Sequence, residues 1–238
     1  IVEDAAPPPP IAFDMVGNAD QNLVSYSNPF TDAFSSAGDG FQKYQRGVSA
    51  TIPFSIADDS LSIFTGDTLG IIGEGDTDIF FGVTDTVNGD TSDPVTATWV
   101  FDVSSATGPL QLSIDMGAMG DFEVDDVFTF TYSFDGGASE TAFASTVDEA
   151  GSQNYTMDGG ALVTLNDPLL MNGTLLNNDL ATLTAALTGT GNLLTIEFTA
   201  RTNGGSEAFA FQNLVIAAGD GPPGPEPEVC GDPATLIS

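Results

Sequence analysis

The chain has 238 residues, and 34 acidic residues against three basic ones give it a formal net charge of −31. Because nucleic-acid binding relies on Lys and Arg to displace counterions from phosphates, we expect no direct binding of DNA or RNA, and no attraction to anionic lipid. Apolar residues make up 41% of the chain, which is enough for one folded core. No apolar run approaches the ~18 residues that a membrane helix needs.

The two ends differ in composition from the body. Residues 1–10 finish in four consecutive prolines and predict a stiff, extended arm. The first six residues lack the basic end and apolar stretch of a signal peptide, which is consistent with a mature N-terminus after processing. Residues 11–218 form the predicted domain. Residues 219–238 predict a Pro/Gly-rich linker and the start of a following domain.

Apolar and polar residues alternate in five stretches of the body, which predicts strands with one buried and one solvated face. The stretches are residues 48–56, 99–103, 110–116, 128–134 and 194–200. Clusters of Gly, Asn and Asp separate such runs, and no amphipathic helix pattern occurs. The sequence therefore predicts an all-β, antiparallel jelly-roll-type β-sandwich with extended Pro-rich terminal arms.

The phase of the alternation also predicts which side chains are buried together. Trp99 is in phase with its apolar neighbours, so we expect it in the core rather than on the surface. The residues expected to share one core are Phe101, Ile114, Phe130, Tyr132, Ile196 and Phe198.

Acidic clusters predict calcium sites, because calcium prefers six to eight oxygen ligands. The first cluster lies in residues 115–126, predicted as a Gly-containing turn between two strands, and comprises Asp115, Asp121, Glu123, Asp125 and Asp126. The second comprises Glu74, Asp76 and Asp78, again at alternate positions, and residues 85–90 form a third candidate. The alternative interpretation of each cluster is a solvated acidic loop in an acidic protein.

No catalytic site is predicted. The chain lacks histidine, the commonest general base, and carries no Gly-rich phosphate loop with its Lys. Two carboxylates can hydrolyse glycosides, but in such an acidic chain some pair always lies at the right distance. Among aromatic residues, Tyr26, Tyr44 and Tyr155 lie in loop-like sequence and are weak candidates for sugar contact.

Residues 230–237, Cys-Gly-Asp-Pro-Ala-Thr-Leu-Ile, resemble the segment that opens the OB-like domain of large secreted bacterial nucleases and phosphatases of the endonuclease/exonuclease/phosphatase superfamily. In that family a Pro-rich linker commonly precedes this segment, and the catalytic domain lies downstream. The resemblance implies a multidomain secreted parent, no nuclease activity in this chain, and a disulfide partner of Cys230 beyond Ser238.

Residues 205–216 are similar, more loosely, to the last strand of jelly-roll modules, which pairs with the first strand, here residues 11–14. Calcium ligands often lie near that pairing in such modules. The resemblance therefore adds Asp14 and Asn213 as minor candidate ligands.

The sequence as a whole predicts a non-catalytic, calcium-stabilised extracellular binding or assembly module of a larger secreted hydrolase-like protein. Its acidity suits a marine or saline exterior, where salt screens the repulsion between carboxylates. Two alternatives stay open. One is a self-assembling filament or surface-layer subunit, a homo-oligomer that docks its terminal arms on neighbours. The other is a glycan-binding module, which an exposed aromatic platform in a groove would favour.

Overall fold

The computed structural model describes residues 9–219, which form β-strands and no helix, so no helix there could span a bilayer. This confirms the all-β prediction. The strands in chain order are β1 (Pro10–Val16), β2 (Ala19–Gln21), β3 (Leu23–Ser27), β4 (Gly40–Gln45), β5 (Ile79–Thr84), β6 (Val95–Asp102), β7 (Leu110–Met119), β8 (Val127–Phe134), β9 (Glu140–Val147), β10 (Ser152–Thr156), β11 (Leu162–Asn166), β12 (Leu169–Met171), β13 (Thr174–Leu175), β14 (Ala181–Leu187), β15 (Leu193–Arg201) and β16 (Ala208–Ala218).

Two antiparallel sheets of seven strands each form the predicted sandwich. The first has the order β14-β7-β16-β1-β2. In the same sheet, β5 pairs with the beginning of β16, and β4 pairs with β5. The second has the order β13-β12-β9-β8-β15-β6-β3, while β10 and β11 form a separate hairpin. The expected antiparallel pairing of the first and last strands is present, with Asp14 opposite Leu214. Residues 1–8 and 220–238, with most of both predicted arms and Cys230, lie outside the described residues.

The core between the sheets follows from the period-two alternation. Strands β6, β8 and β15 bury every second side chain, as does β7 up to Met116, after which the strand is buried throughout. Trp99 is fully buried, as predicted. The predicted core residues all belong to the same buried cluster, namely Phe101, Ile114, Phe130, Tyr132, Ile196 and Phe198.

The strand predicted at residues 48–56 is wrong. This stretch belongs to the long connection between β4 and β5, and it turns at Pro53, whose carbonyl accepts hydrogen bonds from the amides of Ile56 (3.0 Å) and Ala57 (3.3 Å). Proline donates no ladder hydrogen bond, so a central strand does not continue through it. Ile52 and Ile56 of this stretch pack in a second, smaller core, whereas Val48 and Phe54 are exposed.

The second core covers the outer face of the first sheet. The β4–β5 connection and the β10–β11 hairpin lie over that face and contribute Ile56, Ile72 and Tyr155. Two strand glycines permit the close approach, because a Cβ on Gly82 would lie 2.8 Å from the Ile56 side chain, and one on Gly117 2.8 Å from that of Ile71. Sequence alternation alone does not reveal this second layer.

A buried carboxylate joins the two sheets. Asp14 in β1 is 5% exposed, and its Oδ2 accepts a hydrogen bond from the indole Nε1 of Trp99 in β6 (2.6 Å). The same oxygen pairs with the ammonium of Lys43 in β4, which also lies 4.1 Å from the centre of the Tyr26 ring. The backbone amide of Met15 donates to Oδ1 (2.9 Å). The Asp14 carboxylate is therefore fully engaged with groups from three strands.

Replacing the cation of this network is expected to destabilise the fold. Lys43→Ala leaves Asp14 buried without its counter-charge, which costs about 3 kcal/mol of unfolding free energy. The control is Asp125→Asn, which breaks an ion pair whose carboxylate side chain is 56% exposed and is expected to cost less than about 1 kcal/mol. Urea denaturation at neutral pH measures both, and equal losses for the two variants would contradict the assigned role of Asp14.

Candidate metal centre

The β7–β8 and β15–β16 loops lie at one end of the sandwich because of the strand register. Ala208, which opens β16, lies opposite Met119 at the end of β7 and opposite Thr84 at the end of β5. At the same end of the second sheet, Arg201 in β15 lies opposite Val127 in β8. The β7–β8 loop and the β15–β16 loop are therefore neighbours.

Three carboxylates from these two loops converge. One oxygen each from Glu123, Asp126 and Glu207 lies within 4.8 Å of the others, and within residues 9–219 this is the one group of three acids so arranged. Asp126 is 3% exposed and Glu207 5% exposed, while Glu123 lies at the surface. The group is thus a largely buried concentration of like charge.

Local hydrogen bonds place Glu123 and Asp126 beside each other. The amide of Glu123 donates to Asp126 Oδ2 (2.8 Å), and the amide of Asp126 donates back to the Glu123 carbonyl (2.9 Å). The buried ring of Phe122 anchors this turn through an edge contact with Phe128, 6.0 Å between centroids. The turn itself therefore brings together these two acids, which are three residues apart in the sequence.

Glu207 reaches the cluster from the opposite loop. Its Oε2 accepts a hydrogen bond from the Thr202 hydroxyl (2.6 Å). A Cβ on Gly204 would collide with the Glu207 carboxylate, and a Cβ on Gly120 would lie 2.8 Å from the Glu207 Cα. The two glycines thus leave the space that the Glu207 side chain and backbone occupy.

The cluster lacks the partners that buried carboxylates require. Asp126 Oδ1 is buried and has no hydrogen-bond partner within the described part of the chain, an arrangement that costs free energy unless a ligand satisfies it. Burial raises the pKa of Glu207 to about 8, and the negative charges of Asp126 and Glu123 act in the same direction. Burial likewise raises the pKa of Asp126 to about 6. Near neutral pH the cluster therefore holds a proton or a cation.

The remaining predicted residues of this segment lie apart from the cluster. Asp125 pairs with the Arg201 guanidinium (2.7 Å), and Asp121 is exposed. Asp115 lies within β7, because residues 115–119 continue the strand and the turn predicted there begins later. The Asp115 carboxylate accepts hydrogen bonds from the Thr182 hydroxyl and from Asn213 Nδ2 (2.7 Å).

The second predicted cluster stabilises loop backbone. Glu74 accepts hydrogen bonds from the Ser62 hydroxyl and from its amide (2.7 Å), and these contacts lower the pKa of Glu74. Asp76 Oδ1 accepts from the amide of Asp78 (2.9 Å). The structure brings no three acids of this segment together, and calcium binding there stays a prediction.

The minor candidates also contact protein groups. Asp90, in the third candidate segment, accepts hydrogen bonds from the amide (2.7 Å) and hydroxyl (2.9 Å) of Ser35. Asp14 is engaged by Lys43 and Trp99. Asn213 donates to Asp115.

Glu207 was not predicted as a ligand. Its local signal is an acid that lies between the Gly204-Gly205 pair and the start of β16. That pattern does not identify the loop it faces, which depends on the pairing of β16 with β7.

No protein-family model matches this chain, and no curated protein matches it in sequence. Among solved structures, it is similar to the K3 adhesin domain of Lys-gingipain from Porphyromonas gingivalis (TM-score 0.39, 9% identity, covering 83% of this chain and 99% of that one). It is similar to TmCBM61 in complex with β-1,4-galactotriose (TM-score 0.32, 8% identity, covering 81% of this chain and 99% of that one). It is also similar to the CBM22-1–GH10 modules of Clostridium thermocellum xylanase 10B with xylohexaose (TM-score 0.32, 9% identity, covering 84% of this chain). The chain spans 29% of that structure's length. At these identities the likeness concerns the β-sandwich fold alone.

The raised pKa values of Glu207 and Asp126 predict that the unfolding free energy decreases as the pH rises in calcium-free buffer. The folded pKa of Glu207, about 8, exceeds its ordinary value of 4.5, so the folded state binds a proton that the unfolded chain releases. The unfolding free energy contributed by this group is complete below pH 4.5 and is lost as the pH rises through about 8.

Glu207→Gln should flatten this decline between about pH 6 and 8, because it removes the titrating group. The control Glu149→Gln removes an exposed charge elsewhere and should keep the wild-type profile. Urea denaturation over this pH range is the measurement, and equal slopes in the two variants would contradict the assignment.

Proposed function

We propose that this chain is a non-catalytic binding or assembly module of a larger extracellular protein, stabilised by calcium bound at Glu123, Asp126 and Glu207. The observation that carries the proposal is the buried, unpartnered Oδ1 of Asp126 beside two further carboxylates. A cation there satisfies this oxygen and neutralises the repulsion at once.

The donor set and its spacing suit calcium. Calcium–oxygen distances of about 2.3–2.6 Å place ligand oxygens on opposite sides of the ion about 5 Å apart, which agrees with carboxylate oxygens within 4.8 Å of one another. Calcium accepts carboxylates in one- or two-oxygen modes and completes its shell with carbonyls and water. A bound ion would link the β7–β8 loop to the β15–β16 loop.

Burial supports a stabilising role rather than a catalytic one. A catalytic carboxylate must contact its substrate, and Asp126 and Glu207 lie beneath the surface at 3% and 5% exposure. Only Glu123 of the three is exposed. An ion held in this way contributes to the rigidity of the loops at this end of the sandwich.

Two features support an extracellular setting within a larger protein. The net charge of −31 is best tolerated where salt and divalent cations screen it, and calcium sites of extracellular modules commonly bind at about 10⁻⁴–10⁻³ M. The resemblance of residues 230–237 to the start of an OB-like domain supports a secreted multidomain parent. Those residues lie outside the described part of the chain.

Calcium is expected to stabilise the protein against heat. At a concentration of about 100 times Kd, a ligand bound only by the native state adds about 2.7 kcal/mol, which for a domain of this size corresponds to a rise in Tm of about 5–10 °C. Differential scanning calorimetry of chelator-treated protein at low salt, with and without added calcium, is the measurement.

Glu207→Gln should lose most of this rise, whereas the exposed-site control Glu149→Gln should keep it. Magnesium at equal concentration should stabilise less, because it prefers a smaller octahedral shell. No change of Tm in the wild type would sink the calcium proposal. A rise retained in full by Glu207→Gln would place the ion elsewhere.

A further inference from the structure

A second feature of the same end of the sandwich is a groove of about 550 Å³. It is lined by residues of three segments, 31–40, 42–44 and 49–53. Hydroxyl, amide and carboxylate groups line it, among them those of Ser36, Ser49 and Thr51. The groove is therefore polar, with fixed donors and acceptors.

Several of these groups have hydrogen-bonding capacity to spare. Tyr44 is only 4% exposed but is among the residues that line the groove. Its hydroxyl occupies space that a Cβ on Gly40 would fill, and no hydrogen bond joins it to another group within residues 9–219. Asp32 Oδ1 accepts from Gln42 Nε2 (3.0 Å), which leaves its second oxygen free of partners in the described chain. Burial and the nearby Asp32 charge raise the pKa of Tyr44, so its hydroxyl stays a donor.

One exposed aromatic ring lies beside the groove. Phe54 follows Pro53 of the groove wall and is 55% exposed, and its Cε1 lies 3.7 Å from the position of a Cβ on Gly38. Phe54 also lines a shallow depression together with Phe64, which is 62% exposed. The Phe54 ring thus lies beside the polar groove and also lines the neighbouring depression.

We propose that this groove binds a neutral oligosaccharide, with Phe54 stacking on a sugar ring and with Tyr44 and Asp32 bonding to sugar hydroxyls. Sugars present hydroxyl edges and C–H faces, and the groove offers polar groups with an exposed ring beside them. This inference rests on the proposed role as a binding module and names its ligand class.

Charge selects against other occupants. A net charge of −31 repels anionic polymers and a second copy of the chain. The one basic residue of the lining, Lys43, is already paired with Asp14. A purely apolar ligand would leave the Tyr44 and Asp32 groups without partners, which costs affinity.

The test is titration of the full chain, in saturating calcium, with xylohexaose, cellohexaose and β-1,4-galactohexaose, followed by calorimetry and by NMR shifts. The expected result is saturable binding of at least one of these, with shifts at residues 31–54. Phe54→Ala should weaken it by about tenfold, and Tyr44→Phe by about fivefold. The matched controls Leu175→Ala, exposed on β13, and Tyr155→Phe, buried in the second core, should bind as the wild type does.

Three results would overturn the inference: no binding of any neutral hexasaccharide at millimolar concentration, binding that Phe54→Ala leaves unchanged, or stronger binding of a cationic chitosan hexamer than of neutral sugars. Repeating the titration on folded Glu207→Gln separates the two proposals. Sugar binding retained there upholds the groove whether or not calcium binds. Circular dichroism confirms that each variant is folded.

Discussion

The constraint on which this structure depends is the shortage of positive charge. The chain has three basic and 34 acidic residues. Each basic residue forms an ion pair: Lys43 with Asp14, Arg46 with Asp59, and Arg201 with Asp125. Every other carboxylate that folding buries must find hydrogen-bond donors, a proton or a bound cation, because an unpaired buried charge is costly.

The buried acids meet this constraint in different ways. Asp58, 3% exposed, accepts hydrogen bonds from the Ser60 amide (3.0 Å) and hydroxyl (2.5 Å), and from the Asp158 amide (2.8 Å). Those contacts hold the β4–β5 connection to the β10–β11 hairpin. Asp126 and Glu207 have fewer donors and face each other, which is why their pKa values rise and why a cation suits their position.

The candidate metal centre and the groove share one end of the sandwich through a continuous strand ladder. Gly40 at the start of β4 lies opposite Thr84 in β5, and Thr84 lies opposite Ala208 at the start of β16. Strands β4, β5 and β16 thus hold the loops of the acidic cluster and the loops of the groove in place, as is common where binding residues lie on loops of a rigid scaffold. The groove is completed by the β4–β5 connection, which Arg46 ties down through Asp59 and the Asp58 carbonyl.

The sequence by itself determined strands β6, β7, β8 and β15 and the core residues that they share, because burial of alternate residues is a local, period-two property. It also placed Glu123 and Asp126 in one candidate cluster, since a single turn brings them together. It failed at residues 48–56, where Pro53 breaks the strand and Phe54 is turned outward beside the groove. Only the tertiary structure decided that Glu207 completes the cluster and that Asp115 does not. Both outcomes depend on the register of β16 against β7, a pairing between segments far apart in the chain that no local pattern encodes.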